Sequence, residues 1–284
     1  MKKIDTTPQG LVRLARQLSG DLVALEKAWM SPAIASLPYA ERNYPFMTSS
    51  KIKEFQRCQF CYKAKYVDLI PDPTETETQK DHFLVGQALD DLLTNGREKW
   101  DAKYEIVSRR RDDAEKVQLT NSHGRLVEQM INEFRAVPIF NQQPKKKLFF
   151  WNPGPFIVKV ELDDFDGKAI RDVKSTANVK TFDPGMYTIQ AALYQLVAEE
   201  NTGERLPVEY EVVDKYTYFS RSMAVRYTDQ TLFTARGEIL KSIEEIKMAE
   251  DTGIYASAQR QEVLYDCPYY GYLGHGRPNQ FILY

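Results

Sequence analysis

Residues 155–176, PFIVKVELDDFDGKAIRDVKST, constrain the fold more than any other stretch, because two alternating runs flank a tight-turn signal. Apolar and polar side chains alternate over 156–165 and again over 168–173, and a period of two predicts strands. Asp166-Gly167 between them is a strong two-residue hairpin signal. Such a turn puts Asp163 opposite Ile170 and Glu161 opposite Asp172. Opposed residues share a face, as do residues two apart on one strand, so Glu161, Asp163, Asp172 and Lys174 point the same way. Facing carboxylates repel, and a divalent cation with oxygen ligands removes that conflict. A solvated polar face is the plainer account of any one of these residues. The group as a whole, Asp-x-Lys after an aspartate and between two apolar faces, asks for more.

The chain of 284 residues can bury a sizeable core, and 43% hydrophobic with 27% charged residues is a globular composition. No apolar run approaches the roughly 20 residues of a membrane helix. The opening MKKIDTTPQG has no apolar core of signal-peptide type, so a cytoplasmic location is expected. Three cysteines cannot all pair with one another, which agrees with a reducing compartment. A net charge of −2 and a pI near 6.0 do not announce a nucleic-acid binder in bulk. Any such surface would come from local clusters, Arg109-Arg110-Arg111 and Lys145-Lys146-Lys147, which read equally as solvated faces.

Residues 1–46 read as a helical N-terminal extension and 47–284 as the main domain. Leu11, Leu14, Leu18, Leu22, Leu25 and Trp29 recur at helical spacing, interrupted by Gly20. A Ser/Thr cap at 48–50 opens a helix over 51–70 with Ile52, Phe55, Phe60 and Tyr66 inside. Cys58-x-x-Cys61, with distant Cys267 and His275, reads either as a metal centre or as buried thiols acting as small hydrophobes. Residues 71–80 are loop. A helix over 81–96 then buries Phe83, Leu84, Ala88, Leu89 and Leu92 and ends at Asn95-Gly96. Residues 113–137 read as a helix carrying Leu126, Met130, Ile131 and Phe134. A helix over 185–203 places Gln190 and Tyr194 one turn apart on one face. Strands are expected over 206–218 and 222–227 and an amphipathic helix over 232–251. The tail 261–284 shows no period.

Taken in order, the cysteine-bearing helix with Cys58 and Cys61, Gly86-Gln87-Ala88-Leu89-Asp90, Asp163, Asp172-Val173-Lys174 and Gln190-x-x-x-Tyr194 resemble the PD-(D/E)XK nuclease core. The likeness is to its RecB-like branch, which includes exonuclease VIII and lambda-type exonuclease, and it covers roughly residues 47–230. That branch often has Gly-x-x-x-His where this chain has Asp90, which reads either as a ligand or as a solvent-facing neighbour of Asp91. The resemblance implies an α/β fold with a central mixed β-sheet flanked by helices, a restriction-endonuclease-like core. It implies a metal-dependent deoxyribonuclease, an exonuclease on linear DNA in phage recombination or DNA processing. Asp163 and Asp172 would ligate one or two Mg²⁺ or Mn²⁺ ions, with the Val173 carbonyl and Asp90 completing the shell. Lys174 would hold or deprotonate the attacking water, and Gln190 and Tyr194 would orient Lys174 and the scissile phosphate. Glu161 joins the site in the ideal register, and a bulge would turn it away. DNA is the implied partner, with a single-strand annealing protein and a homo-oligomer as further expectations. Cysteine-clustered relatives carry a 4Fe–4S cluster, not expected here with three cysteines. The alternatives are a non-catalytic DNA-binding or assembly protein on the same fold, a nicking or structure-specific endonuclease, and a Cys/His metal module.

Overall fold

The computed structural model describes residues 4–37, 39–70, 76–111, 113–136, 146–214 and 222–255. Helices α1 (Pro8–Leu18) and α2 (Leu22–Trp29) break near Gly20, and side chains cap both: Thr7 accepts from Gly10 N–H and Asp21 from Ala24 N–H. Short helices α3 (Pro32–Ala35) and α4 (Tyr39–Asn43) follow. This segment buries Leu11, Leu25, Trp29, Ile34 and Phe46 against Leu148 and Phe150. The Trp29 ring meets Phe46 edge-on with centroids 4.6 Å apart.

The helix expected over 51–70 is broken. Helix α5 (Ser49–Arg57) stops at Cys58, whose backbone is extended (φ −160°, ψ 106°), and α6 (Gln59–Tyr62) and a π-helical turn (Lys63–Val67) follow. The Cys58 thiol accepts from Cys61 N–H at 3.2 Å, so it caps the new helix as a serine would. Cys58 and Cys61 are buried in a small apolar cluster with Ala64. Cys267 and His275 lie outside the described residues.

Helix α7 (Glu77–Lys103) is interrupted at Gly96, where φ is +79°, the point at which Asn95-Gly96 predicts an end. The helix expected over 113–137 is corrected in its first part. Strands β1 (Tyr104–Val107) and β2 (Val117–Thr120) pair in parallel, and only then does α8 (Asn121–Ala136) begin. Four residues are too few to display a period of two.

The main sheet is mixed, with order β5-β6-β7-β8: β5 (Asp164–Phe165), β6 (Ile170–Thr176), β7 (Val208–Asp214) and β8 (Ser222–Arg226). The β6–β7 pair is parallel and its neighbours antiparallel. Beside it lies an antiparallel pair, β3 (Lys147–Trp151) and β4 (Val158–Leu162). Here the expected hairpin is corrected. Glu161 opposes Leu148 of β3, not Asp172, and Phe165 opposes Ile170 across a four-residue turn. Asp166 sets that turn, its Oδ1 accepting from Lys168 and Ala169 N–H at 2.8 and 2.9 Å. The register thus differs by two from the ideal one. Asp172 and Lys174 keep their common face, but Glu161 does not share it. Val158, Val160 and Leu162 join the core of Ile170, so Glu161 points the other way with Leu148, as the bulge alternative allows.

Helix α9 (Thr188–Thr202) lies across the sheet with every side chain from Ala191 to Ala198 buried, and Gly203 (φ +76°) terminates it. Helices α5, α9 and α10 (Asp229–Thr252) share one core with Val160, Ile170, Tyr210 and Val212. Helices α7 and α8 pack on the opposite face, over Val213 and Val173.

Candidate active site

The ladder divides at Asp163. Strand β4 ends one residue earlier, still paired with β3, and β5 begins one residue later, paired with β6. Into this gap the Asp163 carboxylate reaches and accepts the Val173 N–H at 2.9 Å, where a strand partner would otherwise sit. A residue's N–H and C=O lie on the same strand edge. The Val173 carbonyl therefore faces the Asp163 side.

Asp172, 1% exposed, stands beside Tyr210 in the parallel register. Lys174, two residues on and on the same face, forms an ion pair with it. The Lys174 ammonium also lies 5.3 and 5.2 Å from the ring centroids of Tyr187 and Tyr210. Burial, followed by the negative charge of Asp172, pushes the Asp163 carboxyl well above the usual carboxylate range, against Lys174 and the Val173 N–H. Burial works to lower the Lys174 ammonium, but Asp172 and Asp163 outweigh it and hold the group charged.

A second charged group adjoins the first. Burial and then Asp163 push Asp90 on α7 up to about 6, despite an ion pair at 2.5 Å with Lys146. Lys146 also reaches Glu161 at 3.8 Å. Glu161 is further matched by Arg42 at 3.3 Å and Lys159 at 3.4 Å. Burial alone would raise its carboxyl, yet these three cations hold it below the usual range. Lys159, 4% exposed, donates to Asn43 Oδ1 at 2.6 Å, and burial depresses it to about 8.

On α9, Gln190 Nε2 donates to the Tyr194 hydroxyl at 2.6 Å, and Tyr194 is buried. Lys174 is held by Asp172 and the two tyrosine rings. The basic runs singled out in the sequence are partly occupied. Lys147 pairs with Glu26 at 2.7 Å and Arg110 with Asp81 at 2.5 Å, while Lys145 lies outside the described residues. Sequence reading gave no role to Lys146 in the site, to Arg42, to Tyr187 and Tyr210, or to Lys53 of α5. Lys53 Nζ lies 5.6 Å from the Tyr187 ring centroid. No sequence signal joins these residues, because they come from separate elements.

Among the described residues, no three His, Cys, Asp or Glu side chains form a ready-made metal cage. The Asp163–Asp172 pair nevertheless fits a hard divalent ion. It offers two carboxylates whose charges conflict and a backbone carbonyl on the same strand edge, and Mg²⁺ takes its remaining ligands from water.

A family model described as "PDDEXK-like domain of unknown function (DUF3799)" matches residues 48–256. A crystal structure from Eubacterium rectale described as a "Putative exonuclease" superposes with a TM-score of 0.61 over 90% of this chain and 95% of that one, at 19% identity. At that identity the likeness is one of fold. No curated protein matches the chain.

Proposed function

Because the chain belongs to this PDDEXK-like family, we propose that it is a divalent-metal-dependent deoxyribonuclease, an exonuclease on linear DNA in phage-type recombination or DNA processing. The observation that carries the reading is the convergence of Asp163, Asp172 and Lys174 where β4 parts from β6. Asp163, Asp172 and the Val173 carbonyl would hold Mg²⁺ or Mn²⁺, with Asp90 as a further carboxylate beside Asp163. When bound, the ion supplies an activated water and charge stabilisation at phosphorus.

The remaining work falls to the side chains. Lys174 keeps its proton against burial and is aimed by Tyr187 and Tyr210, so it can offset the charge that develops on the phosphate and orient the attacking water. Gln190 and Tyr194 act together through their mutual hydrogen bond to position the strand. Glu161, neutralised by three cations, serves as the counter-charge that holds Lys146 against Asp90. A cytoplasmic location, a single-strand annealing partner and a homo-oligomer belong to the same proposal.

The test is degradation of linear duplex DNA with and without Mg²⁺, beside a closed circle, by the native chain and by Lys174→Ala. We expect Mg²⁺-dependent loss of the linear DNA alone, abolished in the variant. Equal activity of the two chains would remove Lys174 from the mechanism. No cleavage by the native chain would leave the non-catalytic DNA-binding alternative.

A further inference from the structure

Among the described residues, Lys53 is an ammonium near this cluster to which none of these roles falls. It sits in the middle of α5, whose Ile52 and Phe55 are buried, and it is itself half-buried. Among the described residues it makes no hydrogen bond and no ion pair. Its neighbour is the Tyr187 ring at 5.6 Å, and Lys174 lies 5.3 Å from the same ring centroid. Two ammonium groups from different elements thus share one aromatic ring. Burial, then Lys174, lowers the Lys53 pKa, with Asp172 pulling the other way. A half-buried cation without an ion-pair partner, sharing its ring with a second cation and only partly offset by Asp172, is unfavourable in the isolated protein. An anion bridging the two relieves that cost, and the anion every nucleic-acid strand presents is its backbone phosphate.

We propose that Lys53 is a second phosphate-binding residue of the site, its ammonium placed beside Lys174 over the Tyr187 ring to hold an oxygen of a nucleic-acid backbone phosphate. This rests on the nuclease reading for the identity of the substrate, and on the Lys53–Tyr187–Lys174 geometry for the residue. Lys53 is a binding residue, so its loss weakens substrate affinity and raises KM more than it lowers kcat.

The experiment uses the full chain carrying Asp172→Asn to prevent cleavage, without metal, and a fluorescent linear duplex oligonucleotide as probe. Binding is measured over about a fourfold range of salt. Adding Lys53→Met is expected to weaken binding about 5- to 10-fold and to shrink the slope of log K against log salt by about 0.7–0.9, one phosphate contact. Lys53→Arg should restore the slope. Lys241→Met, an exposed lysine of α10 paired with Glu245, should change neither quantity. An unchanged slope in Lys53→Met, a loss no greater than that of Lys241→Met, or no measurable binding by the parent would each overturn the proposal. Cleavage by the native chain with an unchanged Lys53→Met slope sinks the Lys53 assignment alone. A shrunken slope without cleavage by the native chain sinks the nuclease reading and leaves the phosphate site standing.

Discussion

Two buried charge clusters lie side by side in this protein, and although burial raises the carboxylates of both, they end up shifted in opposite directions. Around Glu161, the cations Arg42, Lys146 and Lys159 outnumber the acids, and the carboxyl stays below its ordinary pKa. Around Asp163, a second carboxylate stands close by, and the group is pushed up although Lys174 is present. Asp90 is the seam: it is paired with Lys146 on one side and raised by Asp163 on the other. The difference lies in the company each group keeps. A cluster whose charges are matched ties elements together, here α4, α7 and β4. A cluster left in conflict gains only when something positive arrives.

The largest effect should separate the two clusters outright. Asp172→Ala is expected to reduce Mg²⁺-dependent DNA cleavage by at least about 10³-fold while costing little stability, read as nucleotide release beside a thermal melt. Glu161→Gln should do the reverse and destabilise by about 3 kcal/mol in urea titration, because it leaves buried cations without their counter-charge. Its pH signature has a definite sign. The depressed Glu161 pKa gives stability that is present above its unfolded value of 4.5 and lost as pH falls through the lower folded value. The Gln variant should lack that acid-side loss. If both substitutions hit cleavage and stability alike, the contrast between the clusters is wrong.

A smaller effect sharpens the matched cluster from within. Lys159 is depressed from 10.5 to about 8, so between those values the unfolded chain holds the proton and the native one releases it. Stability should rise by about 2 kcal/mol as pH climbs from 8 toward 10, and Lys159→Met should flatten this slope. The smallest effect provides a reference outside both clusters. Burial works to raise Asp166, 38% exposed at its side chain, but its turn hydrogen bonds from Lys168 and Ala169 together with Arg171 outweigh it and lower the group to about 2. Asp166→Ala should cost about 1 kcal/mol, present above pH 3.8 and lost as pH falls toward 2.

Much of this was legible in the sequence, and the failures have physical causes. Helices α9 and α10 are long, and their apolar positions announced them. Asp172 and Lys174 share a face by strand parity, but Asp163 falls between two ladders and Glu161 faces away from them, a switch that only the bulge alternative allowed for. Strand β3 went unseen because Leu148 and Phe150 face one core and Phe149 the other, so no alternation remains. Cys58 gave no sign that it would break a helix, since a thiol is an unusual cap. Lys53, Lys146 and Arg42 carry no local pattern at all. Their positions near the two clusters follow from tertiary packing alone.

The parting of β4 from β6 at Asp163 has one more consequence. A fully zipped sheet would be the stiffer scaffold, and an engineer seeking heat resistance would be tempted to lengthen the β5–β6 ladder by another rung or two. Each added rung would claim the Val173 amide and carbonyl for main-chain pairing and take the amide from the Asp163 carboxylate. Rigidity gained there would come at the expense of the one main-chain position that the Asp163 carboxylate occupies.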